Sequence, residues 1–117
     1  VYGKGTQSRS FQYIDDLIEG MVRAMNTGES FTGPLNIGNP ETISILDLAN
    51  RIIEMTGSRS KIVFKEMPED DPEQRKPDIR MAEKHLNGWK PETGLEEGLQ
   101  KTIEFFKQDL ILESGSV

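Results

Sequence analysis

The sequence predicts a small mixed α/β domain, α+β-like when it stands alone, with about four helices and a few short strands. Three observations carry this expectation. Apolar residues recur at helical spacing in separate stretches, short β-branched runs stand between them, and glycine or proline punctuates the junctions. The length of 117 residues suits one domain with a modest core. The strands are too few and too short for a complete doubly wound sheet.

The chain opens on the strand-like Val1-Tyr2, followed by a turn at Gly3-Lys4-Gly5. Ile14, Leu17, Ile18, Met21, Val22 and Met25 then form the apolar stripe of a helix that starts near Asp15 and Asp16 and ends at Thr27-Gly28. Acids in a first turn suit the helix dipole, which explains Asp15 and Asp16 without a catalytic role. Pro34 to Ile37 reads as a short strand between Gly33 and Gly38. Ile45, Leu48, Ala49, Ile52 and Ile53 mark a second helix, N-capped by Ser44 with Asp47 completing a capping-box pattern and stopped at Gly57. Lys61 to Lys65 has the β-branched and aromatic bias of another strand. Met67 to Pro77, polar and proline-rich, reads as a loop. A short helix follows from Asp78 to about Asn87, apolar at Ile79, Ala82 and Leu86 and broken by Gly88. The last helix opens with the capping box Thr93-x-x-Glu96 and runs through Leu95, Leu99, Ile103, Phe106 and Leu110. Residues 1–112 are expected to form one unit and 113–117 a frayed tail.

Charge and residue content exclude several classes of function. With 20 acidic against 14 basic side chains, the net charge of −6 argues against nucleic acid or an anionic membrane as a partner. Cysteine is absent and His85 is the single histidine, so no disulfide, Cys/His pair or His-rich metal site is encoded, and no metal is expected. No G-x-G-x-x-G follows a strand, so no independent dinucleotide site is encoded. Gly3-Lys4-Gly5-Thr6 lacks the spacing of a phosphate loop and a helix directly behind it. There is no apolar run long enough for a signal peptide or membrane span, and the abrupt start at Val1 is expected of a segment from a longer protein.

What remains is equipment for holding an anion. Gly3-x-Gly5-x-Gln7-x-Arg9 combines pliable backbone, an amide and a guanidinium, a set suited to phosphates or a sugar carboxylate. On spacing alone the plainer reading is favoured: Arg9 as a solvated or surface-paired loop arginine, and Arg75-Lys76 as local partners of Asp70, Asp71 or Glu73.

The order of the pieces is more specific. Val1-Tyr2-Gly3-x-Gly5-x-Gln7-x-Arg9-Ser10-Phe11-x-Tyr13-Ile14-x-Asp16-Leu17 is followed by Leu35-Asn36-Ile37-Gly38-Asn39-Pro40 and by Asp70-Asp71-Pro72-x-x-Arg75-Lys76-Pro77-Asp78-Ile79. Gly88-Trp89-x-Pro91 and Leu95-Glu96-Glu97-Gly98-Leu99 complete the series. Together, from Val1 to about Lys107, they resemble the C-terminal substrate lobe of the extended short-chain dehydrogenase/reductases, the NAD-dependent epimerase/dehydratase family that acts on nucleotide sugars. Within it the resemblance is greatest to the UDP-glucuronate decarboxylases, also called UDP-xylose synthases, and the run from Asp70 to Ile79 is its most decarboxylase-like part.

The resemblance implies a smaller lobe that closes over a UDP-sugar, with the Rossmann core and the NAD site missing from this chain. It implies Tyr2 against the uracil ring, Arg9 and Arg75 on the pyrophosphate from two sides, and amide donors from Asn36 and Gln7. Arg9 would also serve the sugar chemistry, by electrostatic stabilisation rather than proton transfer. The implied reaction oxidises the sugar C4 hydroxyl, loses the C6 carboxylate as carbon dioxide and reduces the ketone to UDP-xylose. The family's Tyr-x-x-x-Lys base is absent here, because neither Tyr2 nor Tyr13 is followed by a lysine four residues later. The resemblance further implies a cytoplasmic enzyme that is a homodimer at full length, and a fragment that is inactive alone and self-associates through uncovered apolar faces. A 4-epimerase or 4,6-dehydratase fragment and a non-catalytic nucleotide-sugar binding or assembly module remain the alternatives. Asn87 is one residue more than the family's usual Leu-Gly-Trp and is expected to lengthen a left-handed helix C-cap, with Trp89 as a packing anchor.

Overall fold

Four helices and one two-stranded sheet make up the computed structural model, which describes residues 1–28, 31–70 and 72–115, with side chains described through 111. The order is β1 (Ser8–Arg9), α1 (Ile14–Met25), β2 (Ile43–Ser44), α2 (Ile45–Thr56), α3 (Arg80–His85) and α4 (Leu95–Gly115). β1 and β2 are antiparallel, with Ser8 opposite Ser44 and Arg9 opposite Ile43.

Local chemistry sets most boundaries. The Ser44 hydroxyl accepts the Asp47 amide at 3.1 Å, and Gly57 closes α2 in the left-handed conformation, as the pattern requires. Asn87 and Gly88 both take positive φ after α3, which turns the chain so that Trp89 enters the interior. Gly3 and Gly5 also have positive φ, and the Gly5 amide donates to the Tyr2 carbonyl at 3.2 Å, so this segment is a turn. The fourth helix continues to Gly115, beyond the end the sequence suggested, and residues 116 and 117 lie outside the described residues.

Two expected strands need correction. Pro34 to Ile37 forms no strand, because no neighbouring backbone ladders with it; its apolar pattern reflects Leu35 and Ile37 packing against the core. Of Lys61 to Lys65, only Lys65 makes a bridge, parallel to Tyr2. The Val1 ammonium donates to the Val63 carbonyl at 2.9 Å, the Lys65 amide to Val1 at 2.8 Å and the Gly3 amide to Lys65 at 2.7 Å. This segment therefore runs extended beside the first three residues, without a regular ladder.

The core is small: Ile79, Ala82 and Leu86 around α3, together with Trp89, backed by Ala24, Leu35 and Ile37. The molecule measures 52 × 42 × 21 Å, and its thin dimension holds about two helix diameters, so most helix surface faces outward. The apolar stripe of α1 accordingly does not face this core. Ile14, Ile18, Met21, Val22 and Met25 are exposed, and the opposite, small-residue face carrying Asp16, Gly20 and Ala24 packs inward instead. Gly20 gives the close approach there, since a Cβ would lie 3.0 Å from both Ile37 Cγ2 and Trp89 Cε2 and would press on both. The Trp89 indole N–H donates to the Asp16 carbonyl at 3.1 Å.

Asp15 and Asp16 lie in the first turn of α1, as expected, and Asp16 has a second task there. The start of α1 has no side-chain cap, and the buried Asp16 carboxylate accepts the Thr93 amide at 3.0 Å, tying α1 to the approach to α4. At the far end of α1, Arg23 donates to the Leu86 carbonyl at 3.1 Å, supplying a cation and a donor where α3 exposes its last carbonyls. The Arg80 guanidinium grips Asp78 at the start of α3 and holds that carboxyl at about 2, below its ordinary 3.8.

A cationic cleft as the candidate functional site

Ser8 is the pivot of the site. On one side it pairs with β2, and on the other it forms a parallel bridge with Gln74, its amide donating to the Glu73 carbonyl at 2.8 Å and its carbonyl accepting the Arg75 amide at 3.3 Å. Parallel register makes the residue after each bridge partner a neighbour on the same face. Arg9 and Arg75, far apart in sequence, are thus brought together by a single backbone pairing.

They line one cleft of about 700 Å³, with Gln12, Ile37, Gly38, Asn39, Lys76 and Pro77 among its walls. No acidic side chain lines it among the described residues, so three cationic groups face one space in a chain of net charge −6. Arg75 and Lys76 make no ion pair with Asp70 or Glu73 among the described residues, and Asp71 lies outside them. Arg9 is half-buried and donates to the Ser8 carbonyl at 2.7 Å, which anchors its guanidinium at the cleft. The opposite wall is held by Asn39, buried, whose amide donates to the Phe11 carbonyl at 3.2 Å and whose side-chain oxygen accepts the Glu41 amide at 3.0 Å. A larger groove of about 980 Å³ lies between α2 and the start of α4, but Glu41, Asp47, Glu54, Glu96 and Glu97 dominate it, against Arg51 alone. An anion would be repelled there.

The other residues singled out in the sequence lie around this cleft rather than in it. Tyr2 is half-exposed beside Lys65. Gln7 is buried at 3% exposure, donating to the Tyr2 carbonyl at 3.3 Å, so it braces the turn that carries Tyr2. Asn36 is exposed next to the cleft wall and donates to the Asp78 carbonyl at 3.3 Å. Sequence reasoning passed over Gln12 and treated Lys76 as a salt-bridge partner. The signal for Lys76 was its place beside Arg75; for Gln12, which is polar between two aromatics, there was none short of the structure.

A dinucleotide needs a glycine-rich turn leading from a parallel strand into a helix. Among the described residues the sheet is two-stranded and antiparallel, and the turn at Gly3 to Gly5 leads into β1 rather than into a helix, so no such dinucleotide turn is seen in this chain's described residues. Among the described residues no His, Asp or Glu cluster could hold a metal ion, and no helix is long and apolar enough to cross a membrane.

No family model matches the chain. It is 49% identical over 110 residues to UDP-glucuronic acid decarboxylase 1 of Danio rerio, covering 94% of this chain and 26% of that protein. It is 46% identical over 108 residues to UDP-glucuronic acid decarboxylase 4 of Arabidopsis thaliana, covering 92% and 24%. Among solved structures, the UDP-glucuronic acid 4-epimerase of Bacillus cereus in complex with UDP-glucuronic acid and NAD matches with a TM-score of 0.82 at 35% identity, over 92% of this chain and 34% of that one. The chain spans about a quarter of the length of the curated relatives it matches. Sequence and fold agree: the chain matches the C-terminal portion of the UDP-glucuronic acid decarboxylases, within the epimerase/dehydratase family of extended short-chain dehydrogenase/reductases.

Proposed function

We propose that residues 1–112 form the nucleotide-sugar-binding lobe of an NAD-dependent UDP-glucuronate decarboxylase, which converts UDP-glucuronate to UDP-xylose and carbon dioxide. The observation that carries this reading is the convergence of Arg9 and Arg75 on one cleft that no described acid lines. A diphosphate has paired anionic oxygens that guanidinium forks grip bidentately, and each such charged hydrogen bond is worth about 1.5–3 kcal/mol. Tyr2 offers its ring to the uracil, Gln7 fixes the turn beneath it, and Asn36 supplies an amide at the cleft's edge.

NAD, which would accept and return a hydride at the sugar C4, is assigned to a domain outside this chain. Within the chain, Arg9 contributes a permanent positive charge that steadies the electron density left on the sugar when the carboxylate departs. That role asks for charge alone, with no proton transferred by the guanidinium. We place the full-length enzyme in the cytoplasm as a homodimer.

Grafting this chain in place of the matching portion of the Danio rerio decarboxylase tests the reading. The hybrid is expected to release carbon dioxide from UDP-glucuronate, whereas the 117-residue chain alone releases none and does not bind NAD. A folded, NAD-bound hybrid that only inverts the sugar at C4 would instead support the epimerase alternative, which the Bacillus cereus likeness keeps in view.

Besides the exposed stripe of α1, from Ile14 to Met25, α4 exposes Phe105, Phe106 and Leu110. An isolated domain carrying so much open apolar surface is expected to self-associate. Light scattering should show the mean mass rising with concentration, and Ile18→Glu with Met21→Glu should return it to the monomer. A constant monomer mass for the unmodified chain rejects this.

A further inference from the structure

Among the cleft's donors that the diphosphate reading does not use, Gln12 is set apart by the burial of its amide. Gln12 lies in the segment between β1 and α1 and lines the cleft beside Arg9, Arg75 and Lys76. Its side-chain nitrogen is buried and has no hydrogen-bond partner. A buried amide group without a partner costs the free protein the desolvation of that group, and native structures rarely keep such a group without cause. Among the described residues that line the cleft, the charged side chains are the three cations Arg9, Arg75 and Lys76, which favour an anion in the space that Gln12 also lines. Burial also removes the competition of water, so a hydrogen bond formed there is stronger than at the surface.

We propose that Gln12 is a ligand-positioning residue whose amide donates to an anionic oxygen of the bound nucleotide sugar. The inference rests on the nucleotide-sugar reading above and adds to it a neutral, directional donor. Arginine and lysine attract any anion that enters the cleft, whereas a single amide held at a fixed place selects the position of one oxygen. Two oxygens share the required chemistry, a diphosphate oxygen and the sugar carboxylate, and the choice of ligand separates them.

The test uses the 117-residue chain and two variants. Gln12→Met keeps the length of the side chain and removes the donor. In the ligand-free protein it is expected to raise Tm by about 4 °C, because an unpaired polar group leaves the interior. A fall in Tm would show that the amide already has a partner, and would overturn the proposal without reference to any ligand. In titrations with UDP, UDP-glucose and UDP-glucuronate, the same variant is expected to bind about tenfold more weakly than the unmodified chain. Gln12→Glu, which puts a carboxylate before an anion, is expected to bind more weakly still.

An equal loss with all ligands assigns the amide to the diphosphate. A loss confined to UDP-glucuronate assigns it to the carboxylate. A loss confined to UDP-glucose and UDP-glucuronate alike would point to a sugar hydroxyl and reject an anionic acceptor. Undiminished binding by both variants overturns the proposal alone, while failure of the unmodified chain to bind any of the ligands overturns the nucleotide-sugar reading and this proposal with it.

Discussion

Arg75→Ala is expected to weaken binding of UDP by roughly ten- to a hundredfold, the loss of one charged hydrogen-bonding group from the anion site. Arg9→Ala should cost about as much, and the double variant should leave UDP binding close to that of uridine. Two features make this the largest expected effect on function. The guanidiniums come from neighbouring extended segments joined through Ser8, so each holds its place when the other is removed. Among the described residues the lining of the cleft contains no acid, and Arg75 makes no ion pair with a described acid. Arg75→Lys should recover only part of the affinity, since a lysine contributes charge without the bidentate fork. Binding should also weaken as salt is raised, because the attraction is between charges at an open cleft. An unchanged dissociation constant for Arg75→Ala would remove Arg75 from the site.

Trp89→Ala is expected to produce the largest loss of stability. Trp89 is 2% exposed and stands at the meeting of α1 and α3, its ring against Gly20 and its N–H on the Asp16 carbonyl. Removing a buried aromatic costs about 3–5 kcal/mol, and a whole domain is stable by only about 5–15 kcal/mol. In a core this small no second layer of side chains can take up the space. The variant should be largely unfolded near physiological temperature, as judged by loss of the cooperative thermal transition in circular dichroism. Trp89→Phe, which keeps the ring but abandons the hydrogen bond to Asp16, should fall between the two. Retention of the native transition by Trp89→Ala would mean that the core does not depend on this residue.

The elements with the strongest local signals were legible in the sequence. Ser44, Asp47 and Gly57 bound α2 because caps act through neighbouring atoms, and Asn87-Gly88 turn left-handed for the same reason. The expected strands failed where their identity depends on a partner. Pro34 to Ile37 has the pattern of a strand and the burial of one, but lacks a ladder beside it. Helix α1 shows a different limit. Its spacing marks an apolar face, yet which face meets the core was decided by a tryptophan far along the chain that needs Gly20 to approach. Asp16 was half legible: its place in the first turn of α1 followed from the sequence, but the bond from the Thr93 amide to its carboxylate is a long-range contact that no local pattern encodes.

The candidate site divides in the same way. Arg9 and Arg75 could be named from the order of motifs, but their meeting depends on the parallel bridge from Ser8 to Gln74, a long-range pairing that no local pattern encodes. The role of Gln7 as a brace and the unpaired amide of Gln12 are consequences of burial, visible only once the chain is folded.

The central claim is that a locally cationic cleft in an acidic chain holds the diphosphate of a nucleotide sugar. Calorimetric titration of UDP into the unmodified chain, with uridine as the control, tests it most directly. Saturable binding of one UDP per chain, weakened by salt and absent with uridine, is the predicted result. No binding of UDP, or equal binding of uridine, would contradict it.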